Sequence, residues 1–219
     1  MTEPSTGPAL LVVLYGRVIG QLDRGPQGPV FHYDPEYPRN APPLSVNMPP
    51  SGTVYPSRVV LPFLEGMLPE NAEVRRRMAR ELGVQPDALS LLSKAGWDCP
   101  GAVQFTLPER LEEMLRRPGL LVQVTDSDIA ARLDRLRDDD ASWTRPGEHW
   151  SLAGQQSKFA LARTEQGWAE AKGTAPTTHI IKPGIGRLAY QALVEHATMR
   201  AAAALGVNVA RTTYAEFDG

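Results

Sequence analysis

Two lysines and a short run of small and polar residues carry the chemistry that this sequence suggests. Residues 151–158 read Ser-Leu-Ala-Gly-Gln-Gln-Ser-Lys, and a strand-like run over 158–163 follows directly. A second strand-like run, over 177–182, ends in Lys182. A small, flexible loop with a lysine on a nearby strand is how kinase-type folds cover and grip the phosphates of ATP. The spacing alone is also compatible with an ordinary hairpin.

The residues of this loop differ in what they offer to a phosphate. Ala153 and Gly154 are small, so they allow the backbone to approach phosphate oxygens closely. The loop tip supplies backbone N–H groups, side-chain donors and one further positive charge, from Gln155, Gln156, Ser157 and Lys158. The sequence therefore predicts a phosphate-binding loop over residues 153–158.

Lys182 is the sharpest single candidate for a phosphate contact. It ends an apolar strand, Ile180-Ile181, and its ammonium is a compact positive charge that suits phosphate. In kinase-type sites such a lysine also pairs with a glutamate on the next helix. Glu195 is the glutamate on offer, because it lies inside the helix predicted over residues 188–205. The alternatives are a surface lysine at a strand end and a solvated helix glutamate.

The order of residues in these segments resembles a known family. The strings SLAGQQSKFAL and PTTHIIKPGIG are similar to those of the HipA family, the kinase toxins of bacterial toxin–antitoxin pairs. Residues 96–104, Gly-Trp-Asp-Cys-Pro-Gly-Ala-Val-Gln, resemble the N-terminal domain of that family. The resemblance covers most of the chain, since residues 151–209 also look like the start of the family's kinase core.

The resemblance implies a role for several residues. Lys182 would contact the nucleotide phosphates, Glu195 would pair with it, and the loop over 153–158 would hold the phosphates. Ser151 aligns with the serine that HipA-like kinases autophosphorylate to switch themselves off. A phosphate there would add charge and bulk and eject the loop from its ATP-bound position. The alternative for Ser151 is a plain strand serine.

The resemblance also implies cofactors and partners. The complete kinase would use ATP and Mg²⁺. A HipB-like DNA-binding antitoxin would neutralise it and would be its only link to DNA. An aminoacyl-tRNA synthetase, typically the glutamyl enzyme, would be the protein that it phosphorylates.

The elements around these motifs predict an α+β fold in two domains. Residues 1–140 are predicted to form a small antiparallel sheet with helices, as in the HipA N-terminal domain. Strands are predicted over 10–15, 17–22, 30–33, 43–48, 102–105 and 120–124, and helices over 58–66, 69–82, 86–95, 106–117 and 126–136. Residues 141–219 are predicted to form a kinase-like small lobe, an antiparallel sheet plus one helix. Its strands are predicted over 150–153, 158–163, 168–171, 179–182 and 207–217.

The larger catalytic lobe of the HipA family has no counterpart in these residues. Family members carry there a catalytic-loop aspartate with an asparagine, and a metal-binding aspartate. Phosphoryl transfer depends on positioning the nucleophile and on charge neutralisation by magnesium. This chain alone is therefore expected to be catalytically inactive and to bind nucleotide weakly or not at all. It is interpreted as the N-terminal portion of a kinase toxin, or alternatively as a non-catalytic module that docks on an antitoxin or a separate kinase core.

Composition excludes several other classes of protein. With 23 basic and 25 acidic side chains the formal net charge is −2, which argues against a protein that coats nucleic acid. The single cysteine, Cys99, excludes an intrachain disulfide and is interpreted as a packing residue. No apolar run approaches the length of a membrane span, so a cytoplasmic protein is expected. An exposed face meant for a larger lobe would favour self-association.

Overall fold

The computed structural model describes residues 9–138, 153–154, 156–185 and 188–217, which fall into two compact units. The first unit contains the described residues up to Arg117 together with Ala153 and Gly154. The second contains the described residues from Pro118 to 138 and from Gln156 onward. Both units combine antiparallel sheets with helices, so the predicted α+β class is confirmed.

The first unit is built on a five-stranded antiparallel sheet. Its strands are β1 (Leu10–Leu14), β2 (Arg17–Gly25), β3 (Gly28–Tyr33), β4 (Val54–Tyr55) and β5 (Val103–Thr106), in the order β4-β3-β2-β1-β5. Alternate residues of β3 are buried, as expected for a sheet with one face against a core. That core includes the fully buried side chains of Val12, Ile19 and Phe31.

Four α-helices pack with this sheet in the described part of the first unit. They are α1 (Ser57–Glu65), α2 (Ala72–Leu82), α3 (Ala88–Ala95) and α4 (Leu111–Arg116). The Asn71 side chain caps α2 by accepting a hydrogen bond from the Glu73 N–H, and Gly83 ends it in the left-handed conformation.

Cys99 is buried as a packing residue, and burial raises the pKa of its thiol, which keeps it protonated and unreactive.

The strand predicted over residues 43–48 is wrong. Only an isolated bridge between Ser45 and Met48 forms there, and the fourth strand is β4. Prolines at positions 42, 43, 49 and 50 surround the bridge. Proline has no N–H to donate to a ladder, so an apolar run between prolines does not extend into a strand.

The second unit is built on a four-stranded antiparallel sheet. Its elements are β6 (Leu120–Val124), α5 (Asp126–Asp138), β7 (Phe159–Thr164), β8 (Gly167–Lys172), β9 (His179–Ile181) and α6 (Gln191–Ala204). The strand order is β6-β8-β7-β9. None of the helices in the described part of the chain is long and apolar enough to cross a membrane.

The division between the units differs from the boundary placed near residue 140. β6 pairs with β8 from Leu120 opposite Lys172 to Val124 opposite Trp168, so β6 and α5 belong to the second unit. The acidic, linker-like composition around residue 140 is a local signal. Strand pairing joins residues about fifty positions apart, and no local composition reports it.

Two further strand predictions concern this unit. The strand over residues 150–153 lies largely outside the described residues. The final strand over residues 207–217 is wrong, because this segment has no regular structure in the described part of the chain. It is held instead by side chains, with Thr212 Oγ1 2.9 Å from His196 Nδ1 and the Phe217 ring edge-on to Trp168.

Phe159 is a fully buried aromatic residue in the second unit's core. Ile181 is its partner across the β7–β9 pair. The guanidinium of Arg132, from α5, lies 4.4 Å from the centre of the Phe159 ring and 3.5 Å from a carboxylate oxygen of Glu170. A cation over an aromatic face is attracted by the ring's quadrupole, so Arg132 fastens α5 to the sheet.

Replacement of Phe159 should test this anchoring. Phe159→Ala removes a fully buried ring and should lower the free energy of unfolding of the second unit by about 3–5 kcal/mol. Ile180→Ala, on the paired strand but with its side chain about half exposed, is the matched control and should cost under about 1 kcal/mol. Denaturant titration followed by the NMR signal of the Trp168 indole measures both costs. Equal costs would contradict the role of Phe159 as a core residue.

Candidate nucleotide-binding site

The β7–β9 pair brings the end of the predicted phosphate loop and Lys182 to one end of a sheet. Phe159 opens β7 and lies opposite Ile181, the last residue of β9. In an antiparallel pair the start of one strand lies beside the end of the other. Lys158 and Lys182, which flank these two residues in sequence, are therefore neighbours at the same edge of the second unit.

Lys182 and Glu195 form an ion pair, as their positions in the sequence suggested. Lys182 Nζ lies 2.9 Å from Glu195 Oε1, and both side chains are a little over a third exposed. The hydrogen bond from Lys182 is the main reason that the pKa of Glu195 is lowered, with the lysine's charge acting in the same direction. The pair thus presents a half-exposed, charged ammonium whose direction is set by α6.

Gln191 extends this pair, and sequence reasoning missed it. Its Nε2 donates to Glu195 Oε2 at 3.0 Å, while its Oε1 lies 3.4 Å from the Gln156 side-chain nitrogen. The Gln156 amide also donates to the Pro183 carbonyl at 2.8 Å. The spacing of Gln191 and Glu195, i and i+4 at the start of a helix, was the available signal.

Lys158 and Ser157 take inward positions. Both are buried, and Lys158 Nζ donates to the backbone carbonyl of Gln156 at 2.7 Å. The ammonium therefore braces the loop's own backbone. The predicted role of Lys158 as an extra phosphate charge stays a prediction.

The start of the loop belongs to the first unit. Gly154 has a φ of 103°, a conformation that favours glycine, and its carbonyl accepts a hydrogen bond from the Glu70 N–H at 3.0 Å. Gly154 also forms an isolated parallel bridge with Pro69, whose carbonyl accepts from Arg75. Ala153 is half-buried beside it. Ser151 and Gln155 lie outside the described residues.

The described residues of the site offer one charged donor that suits phosphate oxygens, the Lys182 ammonium. The Gln156 amide already donates to the Pro183 carbonyl and to Gln191. Among the residues that the structure describes, no three His, Cys, Asp or Glu side chains are grouped to hold a metal ion. Lys182 therefore has the chemistry to bind a nucleotide phosphate.

The pKa of Glu195 gives a direct test of the pair. A carboxyl with a lowered pKa stabilises the fold above its unfolded-state pKa, and that contribution is lost as the pH falls through the folded-state value. Lys182→Met should raise the pKa of Glu195 toward its ordinary value. Its stability difference from the parent should be present at neutral pH and vanish in acid. Carbon-13 NMR titration of the glutamates measures the shift.

The control for this titration is Lys172→Met, which removes an exposed lysine from β8. It should leave the Glu195 titration unchanged. An unchanged Glu195 pKa in Lys182→Met would show that the two side chains do not pair in solution.

Comparisons with known proteins agree on one family. A profile described as the HipA N-terminal domain matches residues 10–106, and one described as the HipA-like C-terminal domain matches residues 150–219. A candidate kinase of Sinorhizobium fredii is 36% identical over 89% of this chain and 48% of its own length. The serine/threonine-protein kinase toxin HipA of Shewanella oneidensis is 30% identical over 91% of this chain and 45% of its own length.

A solved structure gives the same result. It is the Shewanella oneidensis complex of HipA, HipB and operator DNA, in which the matched chain is 28% identical, with a TM-score of 0.69 over 95% of this chain and 48% of that one. The chain thus spans about half the length of the relatives that it matches. By both domain profiles, by its relatives and by its fold, this chain belongs to the HipA family of serine/threonine-protein kinase toxins.

Proposed function

We propose that this chain is the N-terminal portion of a HipA-like protein kinase toxin and holds the phosphates of ATP. ATP supplies the phosphoryl group that the complete kinase transfers. In this portion the loop over residues 153–158 covers the phosphates, and Lys182 contacts them. The ligands for Mg²⁺ and the groups that activate the acceptor hydroxyl would come from the part of the kinase that this chain does not span. This chain alone is inactive.

The Lys182–Glu195 pair is the observation that carries this proposal. A strand-end lysine and a helix glutamate thirteen residues apart are joined at 2.9 Å. An ion pair that is a third exposed contributes little to stability, about 0–1 kcal/mol. The ion pair matters because it orients Lys182: Glu195 holds the ammonium where a phosphate oxygen can reach it. A strand-end lysine paired with a glutamate of the next helix is the arrangement by which kinases bind the nucleotide phosphates.

The partners follow from the family and remain part of the proposal. The Shewanella relative was solved with HipB and operator DNA, which supports a HipB-like DNA-binding antitoxin as a partner here. DNA would then be reached through the antitoxin, in keeping with a net charge of −2 on this chain. The protein substrate is proposed to be an aminoacyl-tRNA synthetase such as the glutamyl enzyme, and the kinase to act in the cytoplasm. Ser151 is proposed as the autophosphorylation site.

A second candidate function is a non-catalytic docking module. No residue of α6 is buried, and the helix exposes Leu193 and Val194. Exposed apolar side chains on one element favour association with another chain. In this alternative the chain binds an antitoxin or a separately encoded kinase core and contributes no phosphate contact. The two candidates differ in whether Lys182 is needed for phosphoryl transfer.

Substitution of Lys182 separates the two candidates. In a kinase that joins this chain to a C-terminal half like that of its relatives, Lys182→Ala should lower the rate of phosphorylation of glutamyl-tRNA synthetase about 10²-fold or more. The melting temperature should hardly change, because the side chain is partly exposed. Lys182→Arg should not restore the rate, since a planar fork does not replace a compact ammonium. The matched control, Lys172→Ala, should keep the parent rate. Near-parent activity in Lys182→Ala would contradict the proposed phosphate contact.

The apolar surface of α6 predicts self-association of this chain when no partner is present. Sedimentation velocity should show the average mass rising with protein concentration. Val194→Lys should reduce the association by removing an exposed apolar group. Thr198→Lys adds the same charge on the same helix without removing an apolar group, so it should have a smaller effect. A strictly monomeric parent chain at high concentration would contradict this prediction.

A further inference from the structure

We propose that Gln191 is a positioning residue that ties the phosphate loop to the Lys182–Glu195 pair. The proposal deepens the function proposed above and rests on it for its consequence in catalysis. The contacts themselves can be tested on this chain alone. Gln191 lies in the second unit with all of its partners, and it would not touch the nucleotide in this role.

Gln191 accepts a hydrogen bond with one end of its side-chain amide and donates one with the other. Its Oε1 accepts from the Gln156 side chain at 3.4 Å, and its Nε2 donates to Glu195 Oε2 at 3.0 Å. A neutral amide is suited to this, because it carries an acceptor and two donors on one planar group. A carboxylate in this place would offer acceptors only, and an ammonium would offer donors only.

Both oxygens of Glu195 are thereby engaged. Oε1 accepts from Lys182 and Oε2 accepts from Gln191. A carboxylate held at both oxygens has little freedom to rotate away from the lysine. Gln191 therefore fixes the direction of the Lys182 ammonium through Glu195, although the amide itself does not contact the lysine in this network.

Gln191 also gathers segments that are far apart in sequence. It is the first residue of α6, and its Oε1 lies 3.4 Å from the Ile185 N–H in the segment between β9 and the helix. Gln156, at the loop, reaches the same segment through the Pro183 carbonyl. The loop, the exit from β9 and the start of α6 thus meet at one side chain. A displacement of the loop that moves Gln156 would be transmitted to Glu195.

This coupling would make the position of the loop and the direction of Lys182 depend on each other. Phosphoryl transfer is sensitive to misplacement of the groups that hold the phosphates, since much of the rate enhancement comes from positioning. In a kinase with this network, a displacement of the phosphate loop would also turn the Lys182 ammonium away from the nucleotide phosphates.

Three variants separate the two tasks. Gln191→Leu removes both the donor and the acceptor. Gln191→Glu keeps an acceptor for Gln156 but replaces the donor to Glu195 with a second carboxylate. Thr198→Leu, a polar-to-apolar change at an exposed position on the same helix, is the matched control. Melting temperature and circular dichroism establish that each variant is folded.

The readouts are NMR signals of this chain: the side-chain amide of Gln156 and the titration of Glu195. Gln191→Leu should move the Gln156 amide signals and raise the pKa of Glu195. Gln191→Glu should move the Gln156 signals less, yet raise the Glu195 pKa further, because like charges disfavour ionisation. Thr198→Leu should change neither. If folded Gln191→Leu leaves both signals as in the parent, the positioning role is overturned. If that variant fails to fold, the same two signals in Gln191→Glu decide.

A nucleotide arm distinguishes failure of this inference from failure of the proposed function. The parent chain should bind ATP at roughly millimolar affinity or weaker. Gln191→Leu should weaken that binding about fivefold, the effect of one net hydrogen bond. If the NMR changes occur but the parent chain and the complete kinase do not bind ATP, the proposed function fails while the positioning role stands. Parent-like binding by Gln191→Leu, measured where the parent does bind, would overturn the role of Gln191 in holding the phosphate site.

Discussion

The antiparallel pairing of β7 with β9 is the constraint on which the candidate site depends. Phe159 opposite Ile181 brings the residue before β7 and the residue after β9 to one edge. The fully buried Phe159 ring holds this register, because a slip of one residue would turn it to the other face of the sheet. The backbone thus places Lys182 near Lys158, the last residue of the loop, before any charge interaction acts.

The polar network of Lys182, Glu195 and Gln191 orients the lysine ammonium more than it stabilises the fold. Lys182 and Glu195 are each partly exposed, so solvent screens their attraction. Gln191 is neutral and can join the carboxylate to the loop without adding charge. Together the three side chains set where one ammonium points, and this is what a phosphate-binding lysine requires. Exposed pairs that served stability alone would be better placed within one helix, as Arg77 and Glu81 are on α2.

Sequence reasoning found the parts of the site whose chemistry is uncommon and missed those whose chemistry is ordinary. A lysine after an apolar strand and a glutamate on an alanine-rich helix stand out, and they were paired correctly in space. Gln191 did not stand out, because glutamine is frequent at helix starts and its role depends on Gln156, 35 residues away. Lys158 was assigned a phosphate contact by its position in the loop, and that role stays a prediction; its buried ammonium donates to the Gln156 carbonyl.

The strand error over 43–48 follows from its prolines, and the other errors in the fold arise because strands are defined by their partners. The run over 207–217 has strand-like residues but no place in the described sheet, whereas β6 was recognised as a strand but without its partner, β8. Helices depend on local contacts, so α2 and α3 were found within a few residues of their true ends. Contacts between neighbours in sequence can therefore be read from this chain, whereas contacts with partner segments outside it cannot.

The helix α6 is held by local contacts at its start but is exposed along its length. It is 14 residues long with none buried, and isolated helices of about this length are only marginally stable in water. Its alanines favour the helix, and Glu195 and Gln191 accept hydrogen bonds from Lys182 and from the Ile185 N–H, in the segment after β9. Gln191 also accepts from Gln156 at the end of the loop, so the first turns of α6 are fastened to both segments. The exposed Leu193 and Val194 lie on that same fastened part. A partner that covered them would stabilise the helix carrying Glu195, so docking and orientation of the Lys182 ammonium would strengthen each other.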